Sequence, residues 1–558
     1  MRKSYHRMLP QRCSVLIVGG GPCGLMLANE LGRPGVGAVL VDRKTDTAFN
    51  PQANATQART MEHYRRLGFA DEVRALGLPP DYPTDIAYYT RYAGYELARY
   101  ALPSSREARR RISTLSGSWS AAELPHRVAQ KFVERVLRKH ASALAGISLN
   151  FGWQLTEFSD RGDHVQARVE PVAGGEGAEL HADFLVGADG PRSFVRQQLG
   201  IRYSGETGVV RGFMGGRMFA VYLRAPCFYE AVRHSPAWMN VTFNRERRTL
   251  LAAVDGVSEF AFHAQLRPDE DEGRISDAEA RALFESAVGK RIEAEILSCD
   301  AWTAGHSLVA ERLRAGRVLL GGDAAHLFTP TGGLGYNTAV EDAVNLGWKL
   351  AAAVKGCGGP RLLESYEAER LPLAVRNTGY AKRFADSLGL FAPDPAIEED
   401  TDAGRAARRA AGAYLEAHAR SEFNIPGITF GGRYDRSPVI ASDGTSPPAD
   451  TANTYVPTAC PGGRPPHLWL DGGASLYDRF GFEWTLLRLG PSPADAEPLR
   501  CAALEAGLEL AVVEVPSAEV RDAYQADLAL ILPDQIVAWR GNGLKTGAKE
   551  LIGQLSGR

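Results

Sequence analysis

Residues 13–24 read Cys13-Ser14-Val15-Leu16-Ile17-Val18-Gly19-Gly20-Gly21-Pro22-Cys23-Gly24. The run Cys13–Val18 predicts a parallel strand buried on both faces. Leu25–Leu31 predicts a helix, and Ala38–Val41 a second buried strand that ends at Asp42. Between them stands Gly19-x-Gly21-x-x-Gly24. In such a turn the first glycine permits the tight bend, the second lets a pyrophosphate approach the backbone, and the third packs helix on strand. The helix N-terminus then faces the phosphates. Asp42 follows Gly24 by 18 residues, the place for an acid that binds a ribose hydroxyl. The glycine pattern alone is weak. The strand–turn–helix–strand context makes it a dinucleotide site.

Two more turns repeat the theme. Gly187-Ala188-Asp189-Gly190, with Ser193, Val195 and Arg196 after it, follows the apolar Phe184–Val186. Gly321-Gly322-Asp323-Ala324-Ala325-His326 follows Val318–Leu320 and continues as Pro330-Thr331-Gly332-Gly333-Leu334-Gly335-Tyr336-Asn337. A helix from about 338 to 353, with Asp342 in it, comes next. An Asp at a strand end accepts ligand hydroxyls, and free amides at a helix start favour anionic or carbonyl oxygen. There is no second G-x-G-x-x-G and no C-x-x-C. That disfavours a two-dinucleotide disulfide reductase.

Outward from these turns, Thr60–Leu67, Phe69–Leu76 and Val128–His140 read as helices. Ile86–Tyr92 and Tyr95–Leu102 read as a hairpin. Ile147–Phe151, Gln154–Phe158 and Val165–Val169 read as strands. Met214–Arg224, Trp238–Phe243 and Leu250–Val254 belong to a β-rich lobe, and Glu364–Leu371 is a further helix. Arg405–Arg420 reads as a helix with a solvated charged face. Pro447–Pro466 is a connector. Strands at Trp484–Leu489, Glu509–Val515 and Leu528–Leu532, with helices between, predict a third, small α/β domain.

The 558 residues carry 64 Lys and Arg against 66 Asp and Glu, a formal charge of -2, which excludes a generally basic nucleic-acid-coating chain. Hydrophobic residues are 44% and charged residues 23%, enough to bury a large core. Seven cysteines at long spacings predict neither a disulfide framework nor a metal site. No membrane span or signal peptide is read, and the expectation is a cytoplasmic protein.

With these motifs the chain resembles the single-component (class A) FAD-dependent aromatic hydroxylases related to para-hydroxybenzoate hydroxylase. Within them it is most similar to the phenol and 2,4-dichlorophenol 6-monooxygenase branch, which ends in a thioredoxin-like domain. Arg59-Thr60-Met61-Glu62, Pro125-His126-Arg127 with Gln130, Asn345–Leu350, Tyr366–Arg370, Pro461–His467, Pro533-Asp534 and Trp539-Arg540 extend the resemblance over nearly the whole chain. It implies an α/β fold with three parts. The first is a Rossmann-like (GR2-type) FAD domain built from 12–80, 120–200 and 305–375. The second is a β-rich substrate lobe from 81–119 and 201–304. A helical linker, 376–420, leads to a thioredoxin-like domain, 421–558, without redox cysteines.

The resemblance also implies roles. FAD would be held by Gly19, Gly21, Pro22, Cys23, Gly24, Asp42 and Arg43, by Gln52, Arg59 and Gln130, and by Asp189, Gly190 and Arg196. Asp323 would bind the ribityl chain, and Gly333, Gly335, Tyr336 and Asn337 the pyrimidine end of the flavin. Pro330, through its carbonyl, and Tyr222 are the catalytic candidates, since the flavin carries the chemistry. Tyr222, Trp238, Asn240, Thr242, Pro330 and Thr331 are the substrate candidates. Gln52, Tyr336 and Leu532 depart from the residues usual in the branch.

The implied reaction is hydroxylation of a phenolic or hydroxylated heteroaromatic ring through a flavin C4a-hydroperoxide. NAD(P)H, with NADPH favoured, and O2 are consumed, in natural-product biosynthesis or aromatic catabolism. A small phenol, a hydroxypyridine and a polyketide-derived ring all fit. The implied assembly is a homo-oligomer. Alternatives are a FAD protein that sequesters a reactive intermediate without turnover, or another flavin oxidoreductase. A halogenase W-x-W-x-I-P signature is absent.

Overall fold

The computed structural model describes residues 9–267, 270, 275–492, 494–544 and 547–558; the basic start up to Met8 lies outside them. The quoted stretch forms the strand Arg12–Val18 and the helix Pro22–Gly32. Arg12–Val18 pairs in parallel with Ala38–Asp42 on one side and Ala178–Gly187 on the other. Val318–Leu320 pairs with the far side of Ala178–Gly187, and Ile147–Phe151 with the far side of Ala38–Asp42. Being parallel, these strands end on one edge. The registers Val18↔Gly187, Gly187↔Leu320 and Val18↔Val41 set all three glycine turns and Asp42 along it. Ligands of open parallel sheets bind at this carboxyl edge.

A second sheet has seven strands, in the order Glu295–Ala304, Gly216–Arg224, Glu259–Gln265, Thr249–Ala253, Met239–Thr242, Ile86–Tyr89 and Glu96–Tyr100. The predicted hairpin joins this lobe, as its last two strands. One side packs on the helix Asp277–Val288, where Phe284 meets Phe262 with ring centroids 5.5 Å apart. Glu259–Gln265 and Glu295–Ala304 were not expected. Glu295–Ala304 is an edge strand with partly exposed residues, so it lacks a long apolar run.

The helix expected from 338 begins at Leu334 and runs to Val354, 21 residues long. Gly333 starts it at φ +64°, so the glycines that suggested a loop are its cap and first turn. Pro360–Leu390 is one helix of 31 residues. It extends the expected helix Glu364–Leu371 at both ends and continues through Pro372, which lacks a helix donor. It therefore passes unbroken through position 375, where a domain was expected to give way to a linker. Asp402–Phe423 is helical and buries Ala411, Leu415, His418 and Glu422, so it is not solvated all round.

The C-terminal strands take the order Leu510–Val515, Trp484–Leu489, Leu528–Ile531, Val537–Gly541. The first pairing is parallel and the others antiparallel. This sheet docks on the two long helices, with Trp484 edge-on to Trp348 at 5.9 Å. Cys460 and Cys501, like the other five cysteines, are free thiols.

Candidate functional site

The glycines behave as their spacing predicts. A Cβ on Gly19 would sit 2.1 Å from the Ala188 carbonyl oxygen, and one on Gly24 1.9 Å from the Gly19 oxygen. Gly19 and Gly24 are thus required by the fold itself. A Cβ on Gly21 meets no protein atom within 4 Å, so that backbone faces open space. The N–H groups of Cys23 and Gly24, in the first turn of Pro22–Gly32, find no acceptor among the described residues. Asp42 stands at its strand end, and its carboxylate accepts the N–H of Gly20 (2.5 Å) and of Lys44 (2.7 Å). Arg43 and Gln52 are exposed.

The second turn is held by its own acid. Asp189 accepts the Ser193 hydroxyl (2.5 Å) and the Val195 N–H (3.1 Å), and crowding by protein raises its carboxyl pKa. Gly190 has φ +82° and open space before it. Arg196 links this turn to the third. It donates to the Pro191 and Ala324 carbonyls and lies 3.7 Å over the Tyr203 ring, whose hydroxyl donates to the Asp323 carbonyl.

Asp323 is solvent-exposed, yet protein atoms surround it closely enough to raise its pKa. That combination marks a side chain on the wall of a deep groove. His326, fully buried, places Nε2 2.6 Å from Asp342 Oδ2; Asp342 also accepts the Gly322 N–H (3.1 Å) and Arg370 Nε (2.8 Å). His326 and Asp342 thus hold the turn rather than face a ligand.

The helix Leu334–Val354 points its N-terminus at the same groove. Gly333 offers no side-chain cap, and the N–H groups of Leu334, Gly335 and Tyr336 find no acceptor among the described residues. Asn337 accepts the Gln57 N–H (2.8 Å) and donates to the Ala55 and Gly333 carbonyls (2.9 and 2.6 Å), which fixes the turn against the strand Ala55–Thr56. Tyr336 and Tyr64 share a hydroxyl hydrogen bond of 2.5 Å. Gln130 begins the helix Gln130–Ser142 and donates to Glu134 (2.7 Å).

Arg59 lies elsewhere. Its guanidinium is buried against Glu62 (3.0 Å), Gln535 and the Asp534 carbonyl (2.8 Å), at the junction with the C-terminal sheet. The expectation of Arg59 along the flavin is corrected on that ground, because every bond it makes points into the junction.

The substrate candidates separate by sheet face. Tyr222↔Ala261, Ala261↔Ala252, Ala252↔Met239 and Met239↔Ile86 share one face. The Tyr222 hydroxyl accepts Lys131 Nζ (2.6 Å) of the helix Gln130–Ser142 and donates to Glu259, so this face looks at the dinucleotide groove. Asn240 lies on the other face, in the row Asn240↔Leu251↔Phe262 that packs on the helix Asp277–Val288. Thr242 shares that side and bonds the Thr249 hydroxyl (2.7 Å). Asn240 and Thr242 are therefore corrected from substrate contacts to core residues. Trp238 is buried, with the Arg127 guanidinium carbon 3.9 Å from its ring centre. Pro330 is exposed; Thr331 is buried and donates to the Ala381 carbonyl (2.6 Å).

Several residues were missed. Glu422 is buried and accepts the Gly332 N–H at 2.8 Å, in the turn that carries Pro330 and Gly333. His418 Nε2 lies 2.8 Å from the other Glu422 oxygen, and His418 Nδ1 is 3.0 Å from Ser387 Oγ. The spacing of His418 and Glu422, one helical turn, was the available signal. Tyr88, 1% exposed and near Glu422, makes no side-chain hydrogen bond among the described residues; burial, then the Glu422 charge, holds its hydroxyl neutral.

The groove fits a dinucleotide: open Gly21, an acid at each strand end, and two helix N-termini with free N–H groups. Comparison with known proteins agrees. The family described as FAD binding domain matches residues 12–380. The FAD-dependent monooxygenase apdD of Emericella nidulans is 32% identical, over 98% of this chain and 90% of its own. The rebeccamycin biosynthetic enzyme RebC with reduced flavin superposes with a TM-score of 0.87 at 31% identity, over 99% of this chain and 100% of that one. The flavin-dependent monooxygenase PieE, in complex with FAD and substrate, gives 0.85 at 30% identity over 98% of both.

Proposed function

The chain belongs to the FAD binding domain family, and from that premise we propose that it hydroxylates a phenolic or similarly hydroxylated aromatic ring, using NAD(P)H and O2. The observation that carries the reading is the convergence of three glycine–aspartate turns and two open helix N-termini on one groove, facing the side of a sheet lined by Met239, Val241, Leu250 and Ala252. Bound FAD supplies the electron transfer and oxygen activation.

The residues that would hold it are Gly19, Gly21, Pro22, Cys23, Gly24 and Asp42, then Asp189, Gly190 and Arg196, then Asp323, and finally Gly333, Gly335, Tyr336 and Asn337. The amides of Leu334–Tyr336 stabilise negative charge at the helix end. Glu422 fixes the Gly332 peptide, and so sets the turn beside the ring. The apolar sheet face keeps water from the cavity. The Tyr88 hydroxyl is available to hydrogen-bond a ring oxygen.

RebC serves rebeccamycin biosynthesis, which supports a natural-product ring over a small phenol. The strand order of the C-terminal sheet supports a thioredoxin-like unit over 421–558. Sheet membership supports an FAD domain from 12–80, 120–200 and 305–375, and a substrate lobe from 81–119 and 201–304. NADPH as reductant, a homo-oligomer and a cytoplasmic location rest on the family resemblance. Among the described residues no helix is long and apolar enough to cross a membrane.

The test is anaerobic reduction of the FAD-loaded protein by NADPH and NADH, with and without phenols, hydroxypyridines and polycyclic phenols. One aromatic should accelerate reduction at least about tenfold and, in air, return a hydroxylated product. No response to any ring, and no oxygenated product, would reject the hydroxylase in favour of a sequestering FAD protein.

A further inference from the structure

Eight arginines are buried among the described residues, and seven of them have partners. Arg74 meets Glu123, Arg211 meets Asp386, Arg370 meets Asp342, and Arg464 meets Glu62. Arg59, Arg196 and Arg540 donate to backbone carbonyls. Arg127 is the exception. It is 7% exposed, and its guanidinium makes no hydrogen bond or ion pair among the described residues. Burial, with no carboxylate to offset it, pushes its pKa down to about 9. A buried guanidinium without an anion is costly, so this cation is held for something that arrives.

Its direction is fixed by pairing. Arg127 stands opposite Ala55 in the short ladder Ala55↔Arg127, Thr56↔His126, so the side chains of Arg127 and Ala55 leave on one side. Ala55 Cβ lies 2.8 Å from where a Cβ on Gly333 would be. Arg127 therefore leaves toward the turn at the flavin end of the groove. Its far end lies over Trp238, at the start of the strand Met239–Thr242 in the substrate lobe. Stacking uses the face of a guanidinium and leaves its N–H groups free in plane. Planar, paired N–H donors match a carboxylate or a comparable vinylogous acid.

We propose that Arg127, stacked on Trp238, is an acid-binding subsite, and that the aromatic substrate carries a carboxylate or an equally acidic enol that docks edge-on against the guanidinium. This rests on the aromatic-hydroxylase reading and narrows its substrate class. The subsite lies between the groove and the lobe, so one acidic substituent would set the register of the ring.

The experiment uses the FAD-loaded protein and matched ligand pairs, salicylate with salicylamide and 3-hydroxy-2-naphthoate with 3-hydroxy-2-naphthamide. Binding is read from the flavin absorbance, with no turnover needed. The acid of at least one pair should bind roughly tenfold or more tightly than its amide. Arg127→Met should bring that ratio to about one with amide affinity unchanged, and Arg127→Lys should keep part of it. FAD content and melting temperature of both variants serve as folding controls. No acid–amide preference in the wild type would overturn the proposal. So would a preference that survives in R127M, or an R127M effect confined to FAD affinity or flavin potential, which would assign Arg127 to the flavin. Acid preference without hydroxylation would sink the hydroxylase reading and keep the subsite. Hydroxylation of a neutral phenol by a wild type that shows no acid–amide preference would do the reverse.

Discussion

Gly21 and Gly24 belong to one motif but fail differently when changed. Gly24→Ala puts a methyl 1.9 Å from the Gly19 oxygen, so helix and strand must part. It should lower the melting temperature of the apo-protein, with a cost of roughly 1–3 kcal/mol typical of overpacking. Gly21→Ala meets nothing, so the apo-protein should melt as wild type while FAD affinity falls at least about tenfold. Calorimetry of apo-protein beside flavin titration separates the two; equal apo-protein melting by both variants would contradict the assignment. Glu422 makes a second residue-scale case. Glu422→Ala leaves the buried Gly332 N–H without its acceptor, a loss of about 1–3 kcal/mol. It should also raise the NADPH consumed per product formed, because the turn beside the ring loosens. Glu422→Gln keeps an acceptor oxygen and should restore most of the coupling. A coupling ratio unmoved by E422A would detach the helix Asp402–Phe423 from the site. Gly21, Gly24 and Asp42 were legible because one local turn has one spacing. Glu422 was not, since it reaches the loop from a helix about ninety residues further along the chain.

At the scale of elements, sequence located five of the seven strands of the substrate lobe but not their facing. Alternation reports which side is buried only when the other side is wet. Thr249–Ala253 is buried at every position, and Met239–Thr242 nearly so, because a helix covers one face and the dinucleotide domain the other. Period two then says that Asn240 and Val241 differ, without saying which one meets the ligand. The registers decide it, and they predict a split. Asn240→Ala and Thr242→Val should lower stability, by about 1 kcal/mol for the lost Thr242–Thr249 bonds, and leave KM for the aromatic unchanged. Val241→Ala and Leu250→Ala should instead move KM and the size of ring accepted. A KM shift with T242V and none with V241A would reverse the facing of the sheet. The long helices misled for a related reason. Gly335 and Pro372 carry strong local signals against helix, but Leu334–Val354 and Pro360–Leu390 are held by packing on Pro22–Gly32 and on the C-terminal sheet. The helices approach closely at Gly347, where a Cβ would lie 2.4 Å from Glu30 Cβ.

At the scale of the molecule, most of the motifs that extend beyond the three turns, Pro125-His126-Arg127 excepted, do not gather at the groove. Arg59 and Glu62 meet Arg464 and Asp534; Asn345 and Lys349 meet Glu369 and Asp534; Arg370 meets Asp342. They form a buried polar junction between the C-terminal unit and the helices beneath it. Asp342, which also accepts the Gly322 N–H, carries that junction to the third glycine turn. Sequence showed these residues as motifs but could not place them, because the partners lie far apart in the chain and ion pairs have no period. Through this junction the C-terminal unit is tied to the helices that carry the floor of the groove. Burial works to raise the Glu62 pKa, but Arg464 and Arg59 outweigh it, so it lies below the ordinary glutamate value of 4.5. A carboxylate depressed on folding adds stability that is complete above that ordinary value and is lost as pH falls toward the folded one. Unfolding between pH 4.5 and the lower folded value should therefore steepen in the wild type and flatten in Glu62→Gln. At neutral pH that variant leaves Arg464 short of its carboxylate and should cost about 3–5 kcal/mol. Adding Arg464→Met should recover part of the loss, as coupled partners do in a double-mutant cycle. Because the same network reaches Gly322, FAD should leave E62Q at a higher pH than it leaves the wild type. Flavin fluorescence followed through an acid titration reads this directly. Coincident release curves for the two proteins would show that the junction holds the domains together without bearing on the groove.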